Sequence, residues 1–188
     1  MTHTPSHLQD LQSLIGDKGI ATGDRWYHGT SSALVDSIQS QGLKRSGDKD
    51  MNRAAKSTMA TIGNNFTESV EPVFLTQSKE LAYFWALETV RKRSVRIEGE
   101  EAPVVFELAL TEDLQGKVKP DVGAAGMLIV HGGGEYLEFL KARYADAGQT
   151  FPELDLSTIA REDYIRILGM AYLDQDVAVE YLTILTAA

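Results

Sequence analysis

Hydrophobic and polar positions along the chain change period several times, and each change marks an element. In residues 5–15, Leu8, Leu11, Leu14 and Ile15 recur on one helical face, with Thr4 as a cap and Pro5 suited to the first helical position. The stretch 16–24 (GDKGIATGD) reads as a linker, and 25–28 as an aromatic strand end. Residues 30–41 carry Leu34, Val35 and Ile38 on one face, with Ser31 or Ser32 to cap the start and Gly42 to end the helix. Residues 45–71 are polar and rich in Gly, Ser, Thr and Asn, which predicts a long loop of the kind that carries function. A strand is predicted at 72–75, and then a helix capped by Thr76 or Ser78. That helix runs to about Arg93, with Leu81, Phe84, Trp85 and Leu87 on its apolar side.

The second half continues with strands at 104–110 and 127–130, a turn at Gly132-Gly133-Gly134 and a helix through Ala145. A loop at 148–156, a helix at 157–168 and a β-branched terminal strand at 177–185 complete the pattern. Helices and strands mix without regular βαβ spacing, so the expected fold class is α+β with a largely antiparallel or split sheet. The expected organisation is an N-terminal helix and linker over 1–24, followed by one domain over 25–188.

Composition narrows the setting. The chain has 188 residues and no cysteine, which excludes disulfide scaffolds, thiolate metal sites and cysteine nucleophiles. No stretch approaches the roughly 20 apolar residues of a membrane span, and the first residues lack a basic segment leading into an apolar core. A cytoplasmic location is therefore expected. Net charge is −9 and unevenly placed: residues 1–100 carry 12 Lys/Arg and 12 Asp/Glu, residues 101–188 carry 6 against 15. Bulk, sequence-independent binding of nucleic acid is not expected from such a balance. Lys44, Arg45, Lys49, Arg53 and Lys56, and again Arg91, Lys92, Arg93 and Arg96, form local basic runs, which read first as solvated surface.

Three segments carry candidate chemistry. Trp26-Tyr27-His28-Gly29-Thr30 ends a strand on a histidine followed by a glycine, whose bare backbone admits a flat ligand. Val73-Phe74-Leu75-Thr76 leads to Ser78-Lys79 and Tyr83-Phe84, a hydroxyl and an aromatic at the start of a helix; taken alone, such helix aromatics are more often interior packing. Glu180 stands in the apolar run VAVEYLTIL, with a solvated strand edge as its plain explanation and Glu107 in VVFELAL as the competing carboxylate. His131-Gly132-Gly133-Gly134 suggests an oxyanion hole, but no Gly-x-Ser-x-Gly elbow accompanies it, and no Lys-Ser/Thr follows to make a phosphate loop. Four histidines without clustered spacing give no metal site.

As an ordered set, HGTSSALVDSIQSQGL (28–43), VFLTQSKELAYF (73–84) and VEYLTIL (179–185) resemble the ADP-ribosyltransferase superfamily, in its diphtheria-toxin-like and poly(ADP-ribose)-polymerase-like branch with a His-Tyr-Glu signature. The resemblance implies a split, mostly antiparallel sheet with flanking helices, and a catalytic domain over 25–188. It implies NAD as co-substrate, no metal, and mono-ADP-ribosyl transfer to a macromolecular acceptor, protein or nucleic acid. Carried over, His28 would bond the adenosine ribose and Gly29 would hold the nicotinamide carboxamide with its N–H and C=O. Ser78 would add a hydroxyl to that group, Tyr83 would stack on the ring, and Thr30 would support the turn or the ribose. Glu180 would accept a bond from the nicotinamide-ribose 2′-hydroxyl. Where that branch has a tyrosine, this chain has Phe74 as the second side of the nicotinamide sandwich.

The chemistry is sound without the family. Nicotinamide leaves NAD as a neutral molecule, positive charge shifts to the ribose, and a fixed carboxylate stabilises it there. Two alternatives remain open. NAD-dependent RNA 2′-phosphotransferases share the His-Gly-Thr and Gly-Leu features but use a His-x-His segment that is missing here. A non-catalytic NAD- or ADP-ribose-binding module is the other.

Overall fold

Alternation along residues 25–31 (RWYHGTS) decides the centre of the fold, because it presents Trp26, His28 and Thr30 to one side and Tyr27, Gly29 and Ser31 to the other. In the computed structural model, which describes residues 3–61, 70–121, 131–153, 155 and 158–187 with backbone alone at 58–60 and 131–133, this segment is strand β3 (Arg25–Ser31). After the short β1 (Ile15–Gly16) and β2 (Gly19–Ile20), it pairs antiparallel along its whole length with β5 (Pro103–Ala109), His28 opposite Phe106. The far edge of β5 carries β8 (Leu182–Ile184). A second antiparallel sheet has the order β4-β7-β6, from Val73–Leu75, Ala171–Leu173 and Lys119–Pro120. The two sheets join at one place, where Tyr27 and Thr76 exchange N–H···O=C bonds of 2.8 and 3.0 Å. The fold is thus α+β, with antiparallel sheets at its centre and helices on both sides.

Each face has its own cover. Trp26, Phe106, Leu108, Val73, Leu75, Ala171 and Leu173 bury against Ile38 of α2 (Val35–Gln41), which follows the short α1 (Leu11–Leu14). On the opposite face Tyr27 and Val105 meet Ala82 and Tyr83 of α4 (Lys79–Ser94). The outer side of α4 packs through Leu81 on α6 (His131–Asp146), which supplies Tyr136, Leu140 and Tyr144. Leu8, Leu11, Ile15 and Ile20 are buried in these same clusters, so residues before β3 are built into the body. Among the described residues no helix is long and apolar enough to cross a membrane.

Several expectations stand. Ser31 caps the turn after β3 by accepting from the Ala33 N–H at 3.2 Å, and α2 ends at Gly42 with φ +79°. Ser78 caps α4, and β4 and β5 occupy their predicted places.

Others are corrected. The helix expected over 5–15 is a 3₁₀ turn at Ser6–Leu8 and the single turn of α1. The linker contains the β1–β2 hairpin, closed by Gly19 at φ +99°. The long loop at 45–71 holds α3 (Lys49–Thr61), started by the Asp48 carboxylate accepting the Met51 N–H at 3.0 Å and propagated by its Ala, Met, Lys and Arg content. The glycine run lies inside the first turn of α6 rather than before it. The helix expected over 157–168 is only α7 (Asp163–Arg166). The terminal strand is broken: Val177 bridges Leu43, residues Val179–Tyr181 form a 3₁₀ turn, and only then does β8 begin. Strands β6 and β7 and the short α5 (Glu112–Gln115) carried no sequence expectation. The strand expected at 127–130 lies outside the described residues.

Candidate active site

Pairing between the two sheets stops after one bridge, so the ladder between β3 and β4 is open beyond Tyr27. Tyr27 turns its N–H and C=O toward β4 to meet Thr76, so the strand repeat turns those of Gly29 toward the same edge. Val105, opposite Gly29, confirms the parity, since its carbonyl accepts from Leu185 on the far side of β5. The ladder does not continue to Gly29. His28 is the cause. Its Nδ1 lies 2.9 Å from the Phe74 carbonyl, the acceptor that a continuing ladder would have given to the Gly29 N–H.

That bond also fixes the imidazole. A carbonyl can only accept, so Nδ1 carries the proton and donates, and in the neutral ring Nε2 is left as an acceptor. Burial pushes His28 below the usual histidine value of 6.5, while the bond to Phe74 pulls the other way. The ring is therefore a neutral acceptor at neutral pH, suited to a sugar hydroxyl. Phe74 is 45% exposed, on the outer face of a strand whose Val73 and Leu75 are buried on the other, a large aromatic left open to solvent. At this edge stand the N–H and C=O of Gly29 and the imidazole of His28 on the Phe74 carbonyl, while the Phe74 ring is exposed on the face opposite to Val73 and Leu75.

Gly29 is required by packing. A Cβ at this position would stand 1.8 Å from the Ala82 carbonyl oxygen and 2.7 Å from the Ala86 nitrogen, so α4 rests directly on the glycine. Tyr83, next to Ala82, is 8% exposed and sits among Leu8, Tyr27, Val105 and Leu185, where burial raises its phenol above the ordinary value. Its ring fills the space between helix and sheet. Thr30 is buried on the face of Trp26 and His28.

Ser78 and Glu180 are placed elsewhere. Ser78 follows Thr76 in the direction leading away from Gly29, is fully buried, and donates to the Asp10 carboxylate at 2.6 Å while accepting from the Leu81 N–H at 3.2 Å. Glu180 is exposed in the 3₁₀ turn before β8. Ile184 lies across β5 from His28, through Phe106, so β8 is about 10 Å from β3 at ordinary strand spacing, and Glu180 is four residues further along. The opening faces β4, on the other edge of β3. The structure brings together His28, Gly29 and Phe74, sets Tyr83 behind them, and leaves Ser78 and Glu180 apart.

Glu107 is committed to other partners. It forms an ion pair with Arg25, and burial together with the charge of this carboxylate pushes Tyr27 up to about 12. The basic runs lie on the surface apart from Arg93, and several of their members pair with carboxylates. Lys44 pairs with Asp176 at 3.2 Å, Arg45 with Asp174 at 2.8 Å, and Arg91 with Glu88 at 2.7 Å and Glu135 at 3.2 Å.

Arg93 is 2% exposed, holds Glu101 through two bonds of 2.7 and 3.0 Å, and also bonds Asp48. Burial opposes its charge, but the two carboxylates outweigh it and keep the guanidinium protonated; in return Arg93 holds Glu101 below the ordinary carboxylate range. Since Ser31 also donates to Glu101, the cluster ties the end of β3 to α4 and to the residue before α3. Nothing local in sequence marks Arg93 or Asp10 for these roles, because every partner that defines them is remote except Glu101. Among the described residues no group of three or more potential metal ligands occurs. Comparison with family models, curated proteins and solved structures finds no match to this chain.

Proposed function

We propose that the protein binds NAD at the opening between β3 and β4 and transfers its ADP-ribosyl group to a macromolecular acceptor, a protein or a nucleic acid. The observation that carries this reading is the interrupted ladder: beside the Tyr27–Thr76 bridge, Gly29 turns an N–H and a C=O outward together, the complement of a primary carboxamide. Phe74 offers an aromatic face for the nicotinamide ring, and Nε2 of His28 an acceptor for a ribose hydroxyl. In the reaction the bond between ribose C1′ and the nicotinamide nitrogen breaks, and its electron pair leaves with neutral nicotinamide. The acceptor nucleophile bonds to C1′ and gives up its proton. The cleft supplies orientation, which is a large share of such catalysis. Glu180, the carboxylate that the motif order would assign to the developing ribose charge, lies beyond β5 from this edge, so the reading rests on orientation and the role of Glu180 is decided by experiment.

A second reading, a module that binds NAD or ADP-ribose without turnover, is favoured by one observation: Glu180 lies beyond β5, away from the Gly29 edge. The two separate in one experiment. The chain is incubated with NAD labelled in its adenosine half, alone and with cell extract, and released nicotinamide and label on protein and on nucleic acid are counted. Transfer is expected, with His28→Ala lowering kcat/KM by about a hundredfold. Glu180→Gln lowers kcat by a similar factor if the carboxylate acts, and full activity of that variant removes Glu180 from the chemistry. Saturable NAD binding without nicotinamide release selects the second reading. Absence of NAD binding refutes both.

A further inference from the structure

The N-terminal segment reaches the proposed donor site through a reciprocal cap. Asp10 Oδ1 accepts from the Ser78 hydroxyl at 2.6 Å and from the Glu80 N–H at 3.1 Å, and Oδ2 accepts from the Lys79 N–H at 2.9 Å. One carboxylate thus takes three donors at the start of α4, where the helix has no internal acceptors for its first N–H groups. Glu80, itself 3% exposed, returns the favour to α1 by accepting the Leu11 N–H at 3.4 Å. Burial raises the Glu80 carboxyl above its ordinary value, with Arg143 pulling it down. Leu8 packs in the cluster of Tyr83 and Tyr27, and Lys79 Nζ reaches the His7 carbonyl at 3.3 Å. Residues 7–11 therefore hold the start of α4 through hydrogen bonds at its N-terminus and through the packing of Leu8.

One helical turn after Ser78 comes Ala82, the residue whose carbonyl lies against Gly29. The axial position of α4 sets where that carbonyl stands, and so the placement of the Gly29 edge. We infer that Asp10 is a positioning residue: it acts through α4 to fix the Gly29 backbone that faces the β3–β4 opening, which makes the N-terminal segment part of the site. The effect on NAD rests on the proposed donor site, whereas the coupling of Asp10 to Gly29 does not.

The test compares Asp10→Ala, Asp10→Asn and Leu140→Ala in the full chain. Leu140 is fully buried between α6 and its neighbours and serves as a destabilising control. Two signals are read, the ¹⁵N–¹H resonance of Gly29 and the Kd for NAD from calorimetry. Asp10→Ala is expected to displace the Gly29 resonance and to raise Kd about tenfold, with Asp10→Asn intermediate because it keeps one acceptor oxygen. Leu140→Ala, at a comparable loss of Tm, leaves both unchanged. If neither Asp10 variant moves the Gly29 resonance, or the control moves it equally, the inference is overturned; should Asp10→Ala not fold, Asp10→Asn alone decides. If the unaltered protein binds no NAD while Asp10 variants still displace Gly29, the donor-site reading falls and the positioning role stands.

Discussion

Replacing Gly29 by alanine tests the contact on which the opening depends. The added Cβ would lie 1.8 Å from the Ala82 carbonyl oxygen, whereas ordinary contact begins at 3.4 Å, so the helix must retreat by about 1.6 Å. Rotamer changes cannot relieve the clash, because its atoms are backbone. Ala82 and Ala86 are themselves fully buried against the sheet. Overpacking of a close-packed interior costs about 1–3 kcal/mol, and a helix backbone with no slack belongs at the upper end. For a chain of this length about 3 kcal/mol corresponds to a Tm lower by roughly 6–12 °C. Urea and thermal unfolding by circular dichroism measure it. Ala82→Gly in the same chain leaves the carbonyl in place and should rescue nothing. A Gly29→Ala protein melting within about 1 °C of the parent, or one restored by Ala82→Gly, would show that α4 does not rest on this glycine.

Two further outcomes follow from buried charge and from the histidine. Arg93→Met leaves Glu101 and Asp48 facing each other without their cation, and should cost about 3 kcal/mol in urea unfolding. The Asp48 side chain is 25% exposed, which keeps the loss at the lower end of what breaking a buried pair costs; a change below about 1 kcal/mol contradicts the cluster's role. For His28, burial lowers the folded-state pKa below the unfolded value of 6.5, so the unfolded chain takes up the proton first. Its contribution to stability is complete above pH 6.5 and is lost as pH falls from there through the lowered folded value. Unfolding free energies of the parent and of His28→Asn between pH 7.5 and 5 should converge on acidification; a parent that gains on the variant as pH drops refutes the neutral, Nδ1-protonated ring.

Local capping chemistry was readable from the sequence where cap and element are adjacent. Ser31 precedes the turn it caps, Gly42 ends α2, and Ser78 starts α4, and all three act where the pattern predicts. Asp10 was silent because its partners lie 68 to 70 residues away. The strand reading of VAVEYLTIL fails for a related reason. Its β-branched residues suit a strand throughout, but Val177 bonds to Leu43 while Leu182 to Ile184 bond to β5, and a chain serving two partners must turn between them. The 3₁₀ turn at Val179–Tyr181 makes that change, and it carries Glu180 out of the sheet.

The order of motifs along a chain does not determine the lateral order of strands. β3 has two edges; β5 takes one, and β4 reaches the other only at Tyr27. β8 is left the far side of β5, so Glu180 is two strands from the histidine with which its motif was grouped. His28, Gly29 and Phe74 meet for the opposite reason. The His28 side chain takes the Phe74 carbonyl at the position where the β3–β4 ladder would continue, so histidine, glycine backbone and β4 meet where that ladder ends.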